Sequence, residues 1–214
     1  MKWRTTWIVV FQAAKDSASE KEIIWSSAKQ YALKYHAPPA QCFANEDGGG
    51  KMFTKLDGTP LKGVQGSDKL IIVAHGAVDH LTALKGFMSS TGAVRLCRAL
   101  FDAGLREVGL ISFKACHIGQ QNFLEDLIAE FTKNGILVGW LKGYMGAAAT
   151  VGSRGKPTEQ ITIEMHDEDG GAHDEVLHGQ RRWWIINGNM PATKSVGGRY
   201  KGYFTESVGL TEVV

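Results

Sequence analysis

Three short apolar runs alternating with helical patterns constrain this chain more than any other feature. Lys69–Ala74 (KLIIVA), Val108–Phe113 (VGLISF) and Ile136–Trp140 (ILVGW) are nearly uninterrupted hydrophobic stretches. Such runs mark strands buried on both faces, the habit of a parallel sheet, rather than the alternation of a half-exposed strand. Between the first and second, residues 91–103 place Val94, Leu96, Cys97, Leu100 and Phe101 at helical spacing, and Gly104 is suited to end that helix. Between the second and third, residues 122–133 place Phe123, Leu124, Leu127, Ile128 and Phe131 on one face, and Asn134-Gly135 stops the pattern. Upstream, Trp7–Phe11 reads as a first buried strand. A helix over roughly 20–35 follows, capped by Ser17 or Ser19, striped by Ile23, Ile24, Ala28, Tyr31 and Leu33, and stopped by Pro38-Pro39. Strands and helices in this order demand a mostly parallel sheet with helices on both faces, an α/β three-layer sandwich.

The remaining segments are less regular. Residues 44–68, rich in Gly, Asp and Lys, read as a loop or loose hairpin around Lys51–Lys55 and Gly58–Pro60. Past residue 141 the texture becomes Gly- and Ala-rich. Thr158–Met165 alternates, 166–178 reads as an acidic, His-bearing turn, and Arg182–Ile186 is apolar. These predict a C-terminal β-hairpin, or two strands, added at the sheet edge. No repeat or long linker divides the chain. It reads as one domain over 1–214, with its core at about 5–145 and a β-rich extension at about 150–214.

Composition excludes several classes. A net charge of +2 over 214 residues is not a nucleic-acid signature. No stretch approaches the roughly 18 apolar residues of a membrane span. The N-terminal apolar run, Trp7–Phe11, is too short for a signal peptide, which suggests a cytoplasmic protein or an effector exported without one. Three cysteines, Cys42, Cys97 and Cys116, do not make a disulfide scaffold. The odd count leaves at least one thiol free in the monomer expected here and fits a reducing compartment.

Two strand ends carry candidate chemistry. The first apolar run leads into His75-Gly76. The second leads into Lys114-Ala115-Cys116-His117-Ile118-Gly119, with His75 and Cys116 separated by 41 residues. Ligands of open parallel sheets bind outside the carboxyl ends of the strands, and strands joined by one crossover tend to be neighbours. A Cys116 thiolate, a His75 imidazole as base and then acid, and the Gly76 and Cys116 N–H groups as oxyanion donors would together make a nucleophilic site. The helix expected just after Cys116 would favour the thiolate through its dipole. Cys42 and Cys97 read as structural thiols.

These residues resemble the caspase-like cysteine peptidases, a clan that includes caspases, legumains, gingipains, clostripains and the self-processing domains of bacterial toxins. LIIVAHG at 70–76 and GLISFKAC at 109–116 fit the clan's paired strand endings, and the resemblance covers about residues 69–140. It implies a cysteine endopeptidase with a His75–Cys116 dyad, Gly76 in the oxyanion site, an acyl-enzyme intermediate, a polypeptide substrate, no cofactor and no catalytic metal, and possible self-processing. The glycine after the cysteine falls one residue later than in caspases, which argues against a true caspase; among the branches, the bacterial ones look closer than the animal ones. The resemblance also puts Lys114, two residues before the cysteine, at the pocket for the residue preceding the scissile bond. A plain solvent-facing lysine is the other reading there. Lys142 and Tyr144, after the next strand, are further substrate-binding candidates. Gly-rich 44–68 and 143–157 are the expected sites of autolysis. A catalytically silent fold serving as a protein-binding module is the alternative function.

Other patterns carry less. His166, His173 and His178 match no closed zinc spacing and suit an exposed acidic turn. Gly48-Gly49-Gly50-Lys51 and Gly152-Ser153-Arg154-Gly155-Lys156 lack the context of a phosphate loop. No Gly-x-Ser-x-Gly occurs, against an α/β-hydrolase. Arg181-Arg182-Trp183-Trp184 reads as an edge strand rather than a base-stacking platform.

Overall fold

A computed structural model describes residues 3–84, 89–151, 158–166 and 172–191. Its centre is a seven-stranded sheet built from β1 (Thr6–Phe11), β2 (Cys42–Ala44), β3 (Thr54–Lys55), β4 (Lys69–Ala74), β5 (Glu107–Lys114), β6 (Leu137–Tyr144) and β10 (Trp183–Asn187). The order is β10-β6-β5-β4-β1-β2-β3, and every pair is parallel except β10 with β6. Helix α1 (Ala18–Tyr35) follows β1, α2 (Ser89–Asp102) joins β4 to β5, and α3 (Phe123–Lys133) joins β5 to β6. Side chains of β1 alternate between two cores. Ile8 and Val10 pack with Ile24, Ala28 and Tyr31 of α1, while Val9 and Phe11 join the larger cluster that takes in Leu96 and Leu100 of α2 and Leu124 and Leu127 of α3. The sheet is therefore covered on both faces, and the apolar runs have the physical cause expected of them. Strand order reverses between β1 and β4, which puts a topological switch point beside the carboxyl end of β4.

Helix α1 begins at a capping box. The Ser17 side chain takes the Glu20 N–H, and the Glu20 carboxylate takes the Ser17 N–H. It ends before the prolines, at His36 in the left-handed region (φ 52°). The 44–68 segment is not a hairpin: β3 pairs with β2 in parallel, extending the sheet edge.

The C-terminal extension also differs from expectation. Arg182–Ile186 does become an edge strand, β10, antiparallel to β6. The alternating segment is not its hairpin partner. It forms β8 (Thr158–His166), the centre of a separate antiparallel sheet with β7 (Ala147–Val151) and β9 (Ala172–Leu177). The segment read as an acidic turn thus contains a strand, because residues 172–177 find a partner that local composition does not show. Of the segment expected as an exposed loop, residues 143–144 belong to β6 and 147–151 to β7, with Met145-Gly146 as the bend between them, while 152–157 lie outside the described residues. No helix among the described residues is long and apolar enough to cross a membrane.

Candidate active site

The site is assembled by strand register. Strands β4 and β5 are adjacent and parallel, with Val73 level with Lys114, so two further residues bring His75 level with Cys116. Gly76 seals the junction. A Cβ there would stand 2.5 Å from the Cys116 carbonyl oxygen and 2.8 Å from the Ala115 Cβ, a space that only glycine fits. Just beyond, Gly76 bridges Leu81 in a tight reversal held by Thr82 N–H to His75 O and Ala77 N–H to His80 O, both 2.9 Å. Leu81 is buried in the main core and anchors this reversal. His80 is held to Asp79 at 2.5 Å within it.

The His75 ring is held from α1. Its Nε2 lies 3.3 Å from the carbonyl oxygen of Glu20, in the helix's first turn. A carbonyl only accepts, so the neutral ring carries its proton on Nε2 and presents Nδ1 as the basic nitrogen. All three cysteines are free; Cys116 is half-buried, whereas Cys42 and Cys97 are buried and burial pushes their thiols up to about 11. The Cys116 sulfur accepts the Ala148 N–H at 3.3 Å and lies 3.9 Å from the Ala148 carbonyl oxygen. Among the described residues no hydrogen bond joins His75 to Cys116. The backbone N–H groups of Gly76 and Cys116 have no protein acceptor among them either. Among the described residues two backbone donors are thus unclaimed at the rim that His75 and Cys116 share.

The helix-dipole expectation fails on distance. Helix α3 starts at Phe123, and residues 117–121 intervene, well beyond the first turn over which a dipole acts. Those residues form a turn stitched to the β6–β7 reversal instead. His117, at φ 59°, donates its backbone N–H to Gly146 O at 2.9 Å, and Gly119 N–H reaches Tyr144 O at 2.8 Å. Gln120 Nε2 donates to Met145 O at 2.7 Å, which turns Oε1 toward His117 Nδ1 at 3.0 Å.

Lys114 does not face water; it is 9% exposed. Its Nζ donates to Glu159 Oε1 at 2.6 Å and to the Tyr144 hydroxyl at 2.9 Å, and the Tyr31 hydroxyl donates to the same Glu159 oxygen at 2.7 Å. Burial would push the Glu159 carboxyl up. The charge of Lys114 and the hydrogen bonds from Lys114, Tyr31 and Tyr144 overcome this and hold it at about 2. Lys114 itself is lowered, by burial against the opposing pull of Glu159. Lys142 and Tyr144 are strand residues of β6, which runs four residues past Trp140. Lys142 sits 3.2 Å from the centre of the Trp183 ring and is lowered to about 6, by burial first and then by neighbouring Lys114. Tyr144 is buried, and its hydroxyl is raised, first by burial. Of the expected substrate-binding residues, Lys114 and Tyr144 thus share one buried polar cluster. Glu159, Tyr31 and Gln120 were not singled out by their sequence context: one inward-facing acid in an alternating strand looks like any other.

Among the described residues no group of three or more His, Cys, Asp or Glu side chains is placed to hold a metal ion. No protein-family model matches the chain, and neither a curated protein nor a solved structure does.

Proposed function

We propose that this chain is a cysteine endopeptidase with a caspase-like arrangement of its strands, and that Cys116 is its nucleophile. One observation carries the reading: adjacent parallel strands lead into His75-Gly76 and Cys116, with Gly76 packed on the Cys116 peptide and two backbone N–H groups unclaimed among the described residues beside it. The Cys116 thiol gives its proton to His75 Nδ1, and Sγ attacks the scissile carbonyl carbon. The oxyanion takes the Gly76 and Cys116 N–H groups. As the C–N bond breaks, the His75 imidazolium protonates the leaving amine. A water, deprotonated by the same nitrogen, then cleaves the thioester and frees the carboxylic acid. Glu20 O holds the ring in the tautomer this sequence needs. Catalytic contacts are commonly long before substrate binds, so the Sγ–Ala148 contact is one the substrate displaces.

The second reading, a silent fold that binds proteins, draws on that same contact: the sulfur's hydrogen bonds go to Ala148 rather than to an imidazole. A peptidyl acyloxymethyl ketone separates the two. It should label Cys116 in the wild type and fail to label His75→Ala. A peptide library read by mass spectrometry should show cleavage by the wild type and none by Cys116→Ala. Equal labelling of His75→Ala, or no cleavage of any peptide, would favour the silent fold.

A further inference from the structure

Besides the β6–β7 reversal and the packing of Tyr144 on Ile161 and Leu177, the small sheet meets β5 and its continuation in two contacts that share a spacing. On β5 and its continuation, Lys114 and Cys116 are two residues apart. On β7, their counterparts are Thr150 and Ala148, since Glu159 pairs with Thr150 and Ile161 with Ala148. Lys114 bonds Glu159 at 2.6 Å, and the Cys116 sulfur takes the Ala148 N–H at 3.3 Å. A two-residue step is the repeat of one strand face. The two contacts are therefore successive rungs of one alignment between the end of β5 and the β7–β8 pair. Ala148 turns both N–H and C=O to Cys116, so both point away from β8, along the edge of β7 that its own ladder leaves unused. Apolar support under the small sheet is slight: among the described residues Tyr144, Ile161 and Leu177 are its buried members. The polar cluster supplies a further tie, with Tyr31 reaching Glu159 from α1 and Lys114 from β5.

We propose that the buried Lys114–Glu159 pair holds the β7–β8–β9 sheet in register over Cys116, making Glu159 a positioning residue for β7, the strand that covers the thiol until substrate displaces it. It acts through β8 and β7, which place the Ala148 amide at the sulfur. The inference rests on the peptidase reading only for its consequence in catalysis; the physical claim concerns how β7 sits on the thiol. Removing one partner leaves the other buried and uncompensated, whereas replacing both with apolar residues of similar size removes the imbalance.

The test is the rate at which iodoacetamide alkylates Cys116, located by peptide mapping with buried Cys42 and Cys97 as internal references. Glu159→Met and Lys114→Met, each shown folded by near-UV circular dichroism, should speed Cys116 alkylation about tenfold or more by releasing β7. The double variant should return to within about threefold of wild type, the coupling expected of a contacting pair. Tyr31→Phe, which removes one donor to Glu159 and keeps the ring, should give a smaller increase and covers the case in which a single Met variant does not fold. Wild-type alkylation rates in the folded single variants, or in Tyr31→Phe if they do not fold, would overturn the proposal. A double variant as fast as the singles would also overturn it. Because alkylation needs no turnover, these results stand apart from the peptidase reading. Unchanged rates in an enzyme that cleaves peptides remove only the positioning role, and the expected rates in a protein that cleaves nothing remove only the peptidase.

Discussion

Gly76 is held to glycine by its neighbours, not by its own backbone torsion. Its φ lies outside the left-handed region, yet a Cβ would meet the Cys116 carbonyl oxygen at 2.5 Å. Gly76→Ala must therefore push the two strand ends apart, an overpacking cost of about 1–3 kcal/mol. Under the proposed mechanism the shift would carry the Gly76 N–H, which alanine retains, out of reach of the oxyanion and cut peptide cleavage by at least about a hundredfold. Cys116→Ala should abolish cleavage and His75→Ala should lower it by about two to four orders of magnitude, both with near-native stability because neither empties a large core site. Peptide kinetics alongside urea unfolding of the three variants check this. Wild-type turnover in Cys116→Ala would move the chemistry elsewhere.

Beneath the α1 side of the sheet, three lysines on neighbouring strands, Lys69, Lys114 and Lys142, all feel the charge of Glu159. Lys69, at the start of β4, is 8% exposed, donates to the Tyr35 hydroxyl at 3.1 Å and lies 4.2 Å from the centre of that ring. Burial, then the charge of Lys114, lowers it to about 7 from the ordinary 10.5. Its folded pKa is thus below its unfolded one. Between about pH 7 and 10.5 the unfolded chain binds more protons, and stability rises with pH through that window. Below pH 7 both states are charged and the full penalty remains. Lys142, lowered to about 6, contributes in the same sense from a lower pH. The urea midpoint of the wild type should therefore be higher at about pH 8 than at about pH 6.5, each lysine adding at most about 1.4 kcal/mol per pH unit. Lys69→Met should raise the midpoint at the lower pH and flatten the rise. A wild-type midpoint that falls over this range would contradict the burial of these ammonium groups.

Across the whole chain, strand pairing decides which segments a protease can reach. Nicking concentrates in exposed loop backbone, and within 143–151 all but the Met145-Gly146 bend is paired in β6 and β7. Within 44–68, by contrast, exposed residues such as Glu46, Asp47 and Gly58 lie between short elements. Concentrated wild-type protein incubated for days, against Cys116→Ala, should be nicked within 45–66 and not within 143–151, as read by intact mass. Cuts in β6 or β7 would mean that the small sheet opens far more readily than its two rungs imply.

The mostly parallel sheet was legible because a strand buried on both faces writes its environment into consecutive residues, as Lys69–Ala74 does. His75, Gly76 and Cys116 were legible because each follows such a strand directly, and topology then leaves them one rim to share. Local patterns could not show which strand pairs with which, so β8 looked like the hairpin partner of β10 and residues 172–177 looked like a turn. Nor could they show the fate of Lys114. A lysine ending an apolar strand reads as solvated until a carboxylate 45 residues away arrives at 2.6 Å. Burial of a charge depends on a partner brought from far along the chain, and only the folded arrangement of β5, α1 and β8 supplies one.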